Sequence, residues 1–522
     1  MVDGPIPQTG EAVTAERASW SHLVSPNGLT NANDWTLTRR IWLLSNRETN
    51  MSKGPHRLVV VGHGAAGLAA ALAAVETAHR HDLAVDVTLV EQADEESAGG
   101  NTIWSPSYMR LDAADRIAPD FEREMVQAAN GRADQAYFRA LANNAAQTVG
   151  WLKTHGVEFC SPGYYLSAGP LRIQPVGGGR AIVSALSRAA KCHGAVLQYG
   201  YRAQHLVMAE NGAVSGLVVA SGSAVETVLA DAVILATGGF QANGNMMSRY
   251  FGPGGQDLRL LAPRAHHNTG DGIRMAMEQG ARISGDWNGM HAEPVDPRAE
   301  NPAAVVLVYP YGIVVDQNGR RFFDEGGGLV HETWEWFART IHFETPGGRV
   351  YAILDCRLFD IAGFERAIRS EVPPYRADTL DELARLIGID ASRLAETVAN
   401  YNAAAIGDPS LFDATRCDGL ATSRALHPAK SNWARTIAKP PFLAYPLVGA
   451  IAYTFGGLAT NAKAEVLGRD GPIAGLYAAG EVSGHFYGTA PNAVSVLRAL
   501  VFGRIAGREA ISYLERGDAD RT

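Results

Sequence analysis

The stretch that decides the fold is Leu58–Gly67, which reads LVVVGHGAAG. Its apolar, β-branched half is typical of a buried strand, and its glycines follow the spacing G-x-G-x-x-G. An Ala/Leu-rich segment follows to about Arg80, and a second strand-like run, Val85–Val90, ends at Glu91. This strand–helix–strand unit spans about 35 residues, which is the setting that a dinucleotide-binding turn requires. The sequence therefore predicts a dinucleotide site at the end of the first strand.

Each glycine of this turn has its own expected task. Gly62 permits the tight turn, Gly64 lets the backbone approach a pyrophosphate, and Gly67 permits close packing of the helix on the strand. The N–H groups that begin the helix are expected to bind the phosphates. Glu91 is expected to accept hydrogen bonds from an adenosine ribose.

Three further segments distinguish FAD from NAD. Ala98–Thr102 follows the second strand, Ala236–Gly239 ends a later strand, and Leu476–Glu481 ends another. An NAD site is usually complete within one contiguous domain, whereas these segments extend the site from residue 62 to residue 481. A cofactor that contacts all of them must be long, and FAD is therefore predicted.

The composition excludes several other classes of protein. The 522 residues carry a net charge of −8 and no long Lys/Arg run, so no nucleic-acid partner is expected. The four cysteines are far apart and form no CxxC pair, which argues against zinc ribbons and iron–sulfur clusters and fits a reducing cytoplasm. No apolar run reaches the roughly 18 residues of a membrane span. The 56 glycines indicate many places where the backbone bends sharply or approaches a ligand.

Local patterns predict the other elements. Alternating runs at Ala195–Leu206, Val214–Ala220 and Val225–Leu229 indicate a small antiparallel sheet. Ala232–Ala236 indicates a second buried strand, and Ala493–Leu514 indicates a final helix.

Eight motifs together resemble the flavoprotein family of fumarate reductase and succinate dehydrogenase. They are VVVGHGAAGLAAALAA, SAGGNT, VGGGRA, AVILATGGF, NTGDGIRMAMEQGA, NGRRFFDE, YTFGGLATN and GLYAAGEVSG, and they cover roughly residues 56–515 in the family's order. GNTIWSPSYMRL, RIQPVGGGRA, RFFDEGG and VFGRIAG carry a finer similarity to the FAD-dependent tricarballylate dehydrogenase branch.

The resemblance implies an α/β protein, in which a Rossmann-like FAD-binding domain carries an inserted α+β capping or substrate domain. A change in composition, with more Trp, Pro and charge from about residue 286 to residue 440, agrees with such an insertion. The predicted limits are residues 1–50 for an N-terminal extension, 51–285 for the first part of the FAD-binding domain, 286–440 for the cap, and 441–522 for the second part of the FAD-binding domain.

The candidate cofactor residues combine the turn, the three glycine-rich segments and the positions that match the family. They are Gly62, Gly64, Ala65, Ala66, Gly67, Glu91, Gln92, Gly99, Gly100, Asn101, Thr102, Gly178, Gly179, Ala236, Thr237, Gly238, Asp271, Gly480, Glu481, Ser495 and Val496. Ser495 and Val496 are included for their backbone N–H groups, which begin the final helix and would stabilise negative charge on the flavin.

The chain departs from the fumarate reductases at several substrate positions. The arginine that acts as the acid in the family would fall near Leu329 and is absent here. The family's HHTMGG segment is replaced by Ala452–Gly457, and its GANRLGGNA segment appears as Gly488–Ala493 without arginine. Fumarate or succinate is therefore not the expected substrate. The segment SAGGNTIWS also lacks the histidine to which some members attach flavin, so non-covalent FAD is predicted.

The family's chemistry makes or removes a C–C double bond beside a carboxylate or carbonyl. One hydrogen passes as hydride to or from flavin N5, and the other passes as a proton to or from a protein group. The candidate catalytic residues are Tyr453, which replaces a substrate-binding histidine of the family, and His291, which stands where the family has a carboxylate-binding histidine. Tyr487, His485 and Arg264 are further candidates. The adjacent histidines 266 and 267 have no evident third ligand, so no metal site is expected.

Several alternatives stay open at this stage. The substrate could be a tricarballylate-like polycarboxylate, whose cavity would be cationic, or a cyclic ketone as in ketosteroid dehydrogenases, whose cavity would be aromatic and uncharged. The chain could also be a non-catalytic flavoprotein subunit for electron transfer. Because the sequence has no cysteine cluster and no CxxCH, electrons must be exchanged with a separate protein, a quinone or O₂.

Overall fold

The structure, a computed structural model, describes residues 54–163, 166, 169–262 and 265–519. The predicted extension at residues 1–50 lies outside these residues. The strands are β1 (His56–Val61), β2 (Val85–Glu91), β3 (Phe159–Cys160), β4 (Gln174–Pro175), β5 (Val196–Tyr199), β6 (Arg202–Met208), β7 (Val214–Ser221), β8 (Ala224–Leu229), β9 (Ala232–Leu235), β10 (Arg259–Leu260), β11 (Ile283–Ser284), β12 (Met290–Val295), β13 (Ile313–Asp316), β14 (Val350–Leu354), β15 (Tyr375–Ala377), β16 (Phe442–Thr454), β17 (Gly457–Leu458), β18 (Glu465–Leu467) and β19 (Pro472–Ala478).

The α-helices of the described residues surround these strands. They are α1 (Ala65–Arg80), α2 (Phe121–Ala128), α3 (Gln135–Thr154), α4 (Gly178–Cys192), α5 (Gly244–Phe251), α6 (Asp271–Glu278), α7 (Val330–Glu344), α8 (Leu380–Ile387), α9 (Ala391–Ala404) and α10 (Ser495–Ala519).

The main sheet has six strands in the order β18-β19-β9-β1-β2-β5. All neighbours pair parallel except β18, which runs antiparallel to β19. The central strand β1 is apolar on both faces, and Leu58 and Val60 are fully buried, because helices or other chain segments cover both sides of the sheet. This arrangement confirms the predicted Rossmann-like α/β fold.

The first and last helices pack against each other with their backbones in close approach. A Cβ added at Gly503 would lie 2.3 Å from the carbonyl oxygen of Ala66, and one added at Gly507 would lie 2.3 Å from that of Ala70. Because these glycines stand four residues apart, they lie on one face of α10. The final helix is confirmed, and it begins after Ala493, whose φ of +58° is not helical.

The predicted antiparallel sheet needs one correction. β6, β7 and β8 do form it, but the stretch predicted as one strand, Ala195–Leu206, divides at Gly200, whose φ is +78°. Its first part, β5, pairs parallel with β2 at the edge of the main sheet. Alternation predicts a strand but carries no information about which strand will pair with it.

A second large sheet contains β10, β16, β14 and β13 in that order, with β12 and β15 also paired to β16. Helix α7 packs over it, and Phe337, Ile341 and Leu447 are among its fully buried side chains. This sheet includes β10 and β16, which lie outside the predicted cap limits at residues 286 and 440. The domain limits stay a prediction.

Across the described part of the chain, the structure contains no helix that is both long enough and apolar enough to cross a membrane.

Candidate active site

A cavity of about 970 Å³ opens at the carboxyl ends of the parallel strands. Val61, Val90, Ala236 and Ala479, which end or follow β1, β2, β9 and β19, lie on its wall. The opposite wall comes from β12, β16 and α7. Ligands of open α/β sheets bind in this place, because the loops that follow parallel strands all meet at one edge.

The glycines of the first turn have two different tasks. A Cβ at Gly62 would lie 2.3 Å from the carbonyl oxygen of Ala236, and one at Gly67 would lie 1.8 Å from that of Gly62. At Gly64 an added Cβ would meet only Thr102 Oγ1, at 3.6 Å, and Gly64 lines the cavity. Gly62 and Gly67 therefore hold the turn together, whereas Gly64 presents bare backbone to a ligand.

The carboxylate of Glu91 lies at the same end of the cavity. Its Oε2 accepts a hydrogen bond from the N–H of His63 at 2.8 Å, and its Oε1 accepts one from the N–H of Ala93 at 2.9 Å. Burial raises its pKa, although these hydrogen bonds act in the opposite direction. Each oxygen has a second lone pair, so the group can still accept bonds from ribose hydroxyls.

Most predicted cofactor residues line this cavity. They are Gly62, Gly64, Ala65, Ala66, Glu91, Gln92, Gly100, Asn101, Thr102, Ala236, Thr237, Gly238, Asp271, Gly480, Glu481, Ser495 and Val496. Bare backbone at a helix N-terminus, a ribose-accepting carboxylate and a cavity that continues to α10 together fit the two ends of an FAD molecule.

Four predicted cofactor residues, Gly67, Gly99, Gly178 and Gly179, lie away from the cavity wall. A Cβ at Gly99 would lie 2.3 Å from the side chain of Ile103, and one at Gly179 would lie 1.8 Å from the carbonyl oxygen of Thr102. These glycines support the lining segment from behind, because they let other chain segments approach it closely.

Tyr453 and His291 meet at the other end of the cavity. They are directly opposite each other on the antiparallel strands β16 and β12. Their ring centroids are 5.0 Å apart and their planes differ by 30°. Burial raises the pKa of Tyr453, so its phenol is protonated at neutral pH.

His291 is held by carboxylates at both ring nitrogens. Nδ1 lies 2.7 Å from Glu335 Oε2, and Nε2 lies 3.3 Å from Glu293 Oε1. Burial alone would lower the pKa of His291, but the hydrogen bonds and charges of the two carboxylates raise it to about 10. The ring is therefore an imidazolium at neutral pH, and both of its N–H groups donate to protein.

The structure does not bring His485 or Tyr487 to this end. His485 stacks on Tyr137 at 3.5 Å, lies 2.8 Å from Thr460 Oγ1 and is kept neutral by burial, which holds its pKa well below the usual range. Tyr487 lies under the guanidinium of Arg132, 4.8 Å from its ring centroid. Neither side chain lines the cavity, and Arg264 falls outside the described residues. The glycine-rich loop around residues 484–488 led to the first two candidates, but a loop motif does not determine the direction of its side chains.

Sequence reasoning missed a group of cations on the cavity wall, here named the arginine cluster: Arg110, Arg172 and Arg369 with Tyr108. The Arg172 guanidinium lies 3.7 Å from the Tyr108 ring centroid, and Arg369 Nη2 donates to the Tyr108 hydroxyl at 3.1 Å. Arg110 forms an ion pair with Glu124.

Met109 and Ile173 pair in an antiparallel β-bridge, which brings their neighbours Arg110 and Arg172 together. The charges of Arg172 and Arg110 both reach His331, where they add to the lowering of its pKa by burial and oppose the effect of Glu332. The segments SPSYMRL and RIQP contain Arg110 and Arg172, so the motifs themselves were the available signal.

Comparison with known proteins places this cavity in a family. The FAD binding domain family matches residues 57–495. The probable fumarate reductase Ifc3 of Shewanella frigidimarina (strain NCIMB 400) is 29% identical over 480 residues, which cover 88% of this chain and 75% of that protein. The 4-oxocyclohexanecarboxylate 2-dehydrogenase of Sinomonas cyclohexanicum is 31% identical over 363 residues, or 63% of this chain and 60% of that protein.

A solved structure agrees with the sequence matches. The open conformation of a flavocytochrome c3 fumarate reductase superposes with a TM-score of 0.69 and 26% identity, and the match covers 93% of this chain and 82% of that chain. The prediction of FAD is confirmed by the family match. The chain therefore belongs to the FAD-binding flavoprotein family of fumarate reductase and succinate dehydrogenase, and it is an FAD-dependent oxidoreductase that acts on carbon–carbon double bonds.

Proposed function

We propose that the chain forms or reduces a C–C double bond beside a carboxylate of a small polycarboxylate, with Tyr453 as the group that transfers the proton. FAD, held non-covalently, supplies the hydride chemistry at one of the two carbons. The protein's own part is to bind the carboxylates, exclude water and exchange the proton at the Tyr453 hydroxyl.

The arginine cluster is the observation that carries this proposal. Its guanidiniums line one wall of the same cavity as Tyr453, where Arg110 pairs with Glu124 and the charge of Arg369 acts on Glu293. Guanidinium groups bind carboxylates with two parallel N–H donors and keep their charge at every physiological pH. These three cations are more than one carboxylate requires. They therefore favour an acid with several carboxylates, and tricarballylate is the proposed example.

The state of Tyr453 supports proton donation. Its phenol is protonated because burial raises its pKa, so it is ready to donate to a carbon as the double bond is reduced. Removal of a proton in the opposite direction would first require that the phenol lose its own. The resting enzyme therefore holds the proton that the reductive direction requires.

A second candidate is a cyclic ketone that also carries a carboxylate. The relative from Sinomonas cyclohexanicum is named for such a compound. Tyr453 would then donate to or withdraw a proton beside the ring carbonyl, and only part of the arginine cluster would contact the substrate.

The electron partner is proposed to be a separate carrier, whether a protein, a quinone or O₂. We also propose a cytoplasmic location, an extension at residues 1–50 and a cap with limits at residues 286 and 440.

The test is an anaerobic reaction followed at the absorbance band of oxidised flavin, at about 450 nm. Oxidised enzyme is mixed with tricarballylate, succinate or 4-oxocyclohexanecarboxylate, and dithionite-reduced enzyme is mixed with the corresponding unsaturated compounds. Fast reaction with the tricarboxylate pair supports the proposal. Reaction with the cyclic ketone pair alone supports the second candidate, and no reaction with any compound supports a non-catalytic electron carrier.

A further inference from the structure

We propose that His291 is a positioning residue, which Glu293 and Glu335 hold as a cation against the ring of Tyr453, and that it does not bind the substrate carboxylate. This inference rests on the proposed role of Tyr453 as the proton-transferring group. It assigns to Glu293 and Glu335 a task that neither the motifs nor the family comparison provides.

The backbone fixes the two rings against each other. His291 and Tyr453 are cross-strand partners in the register of β12 and β16, so their ring contact follows from strand pairing. The register shifts between His291 and Ala292, and this local irregularity lies beside the contact. Irregularities of this kind aim a side chain in a direction that a regular strand would not give it.

The two carboxylates that hydrogen-bond to His291 come from two separate elements. Glu293 belongs to the same strand, while Glu335 reaches across from α7. Glu335 also accepts a hydrogen bond from the N–H of Ala490 at 3.3 Å, through its other oxygen. Because both ring nitrogens of His291 donate to these carboxylates, neither N–H is available to a substrate carboxylate in this arrangement.

A cation on the face of a phenol ring is attracted by the ring and more strongly by the phenolate. His291 therefore makes it easier for Tyr453 to give up its proton during the reaction. Other groups also act on Tyr453: Glu335 and Glu481 favour the protonated phenol, whereas Arg498 and a hydrogen bond with Ser495 favour the phenolate. Loss of His291 would remove the positive charge that Glu335 contacts, and the effect of Glu335 on Tyr453 would increase.

Glu293 also connects His291 to the arginine cluster. Burial acts to raise the pKa of Glu293, but its hydrogen bond and charge interaction with His291, followed by the charge of Arg369, hold that pKa below the usual value. The positive charge of His291 is thus balanced by the carboxylates around it, and the three groups together do not attract a substrate carboxylate.

The central experiment compares wild type with His291→Gln in steady-state kinetics across pH 6 to 10. The expected result is a fall in kcat of about 10- to 100-fold with KM changed less than about threefold, since proton transfer is affected and substrate binding is not. In wild type, kcat should decline as the pH approaches the His291 pKa of about 10, and this decline should be absent from the variant.

A second variant, Glu335→Gln, keeps the histidine but removes one carboxylate from it. The alkaline decline of kcat should then move to lower pH by at least about one unit, because an opposite charge nearby favours the charged form of the ring. His81→Gln serves as the matched control, since His81 pairs with Glu515 on the protein surface, with Nδ1 3.0 Å from Oε2. This control should leave kcat, KM and the pH profile unchanged.

A readout without substrate separates this inference from the proposed function. A histidine whose pKa is higher in the folded than in the unfolded state stabilises the fold fully below about pH 6.5, and that contribution is lost as pH rises through about 10. Denaturant unfolding should therefore show the largest difference between wild type and His291→Gln at low pH. If no substrate reacts but this pattern appears, the two carboxylates do hold His291 as a cation, and the proposed function is wrong.

Two results would overturn the inference. A large rise in KM with kcat unchanged in His291→Gln would show that His291 binds the substrate. A stability difference that does not vary with pH would show that the two carboxylates do not hold the ring as a cation.

Discussion

The two ends of the cavity are built in different ways. At the dinucleotide end, Gly62, Gly64 and Gly67 lie within six residues of sequence and act through the backbone. At the substrate end, Tyr453 and His291 come from strands separated by well over a hundred residues and act through their side chains. The first end depends on the absence of side chains, and the second depends on their direction.

This difference explains why the two ends tolerate change differently. A Cβ added at Gly67 would lie 1.8 Å from the carbonyl oxygen of Gly62, so only glycine fits at this position, whatever ligand the protein binds. A side chain on a strand can be exchanged without disturbing the pairing of the strand. Substitutions at the dinucleotide end are therefore expected to disrupt the structure, whereas substitutions at the substrate end are expected to impair the reaction.

The largest expected effect is the loss of FAD in Gly67→Val. The added carbons would collide with the carbonyl oxygen of Gly62, and overpacking of this kind typically costs about 1–3 kcal/mol or more. Purified protein should show a flavin-to-protein absorbance ratio close to zero and a lower Tm. Gly150→Ala is the control, because no heavy atom of the described residues beyond its immediate surroundings lies within 4 Å of that added Cβ. If Gly67→Val retains stoichiometric FAD, the contrast between the two ends is wrong.

A smaller effect is expected for Tyr453→Phe. The change removes only the hydroxyl, so FAD content and Tm should stay close to wild type while kcat falls by about 10²- to 10⁴-fold. Stopped-flow reoxidation of the reduced enzyme by the unsaturated acid measures the chemical step directly. Wild-type rates in this variant would show that Tyr453 does not transfer the proton.

The smallest effect is expected for Arg172→Gln, which removes one charge from the arginine cluster. Charge-assisted hydrogen bonds contribute about 1.5–3 kcal/mol, so KM for the polycarboxylate should rise by about 10- to 100-fold. Arg385→Gln is the matched control, because Arg385 pairs with Asp381 on the surface of α8, and its side chain is 68% exposed. An unchanged KM in Arg172→Gln would argue for an uncharged substrate.

Most of the dinucleotide end was predictable from the sequence. The strand, the turn, the helix and Glu91 lie where the pattern places them, because a βαβ unit closes through local contacts. The edge strand β5 was not predicted as such, since its partner β2 stands more than a hundred residues earlier. His485 and Tyr487 lie beside the right motif in sequence, yet neither side chain lines the cavity.

The substrate end shows what pattern reasoning lacks. Tyr453 and His291 were identified individually by resemblance, and their roles stay predictions. Their contact, the two carboxylates on His291 and the arginine cluster depend on strand register and on how α7 lies over β16, and neither is encoded within a short window of sequence.

By itself, the sequence determined that this chain binds FAD, because close backbone approach demands glycine at fixed spacing and leaves a readable pattern. The tertiary structure alone decided which side chains share the reacting end of the cavity. Glu335 and Arg172 are ordinary surface-type residues in sequence, and they become part of a site only because packing brings α7 and the strand pair around Met109 against one cavity. Their direction and charge environment follow from those long-range contacts, which no local pattern records.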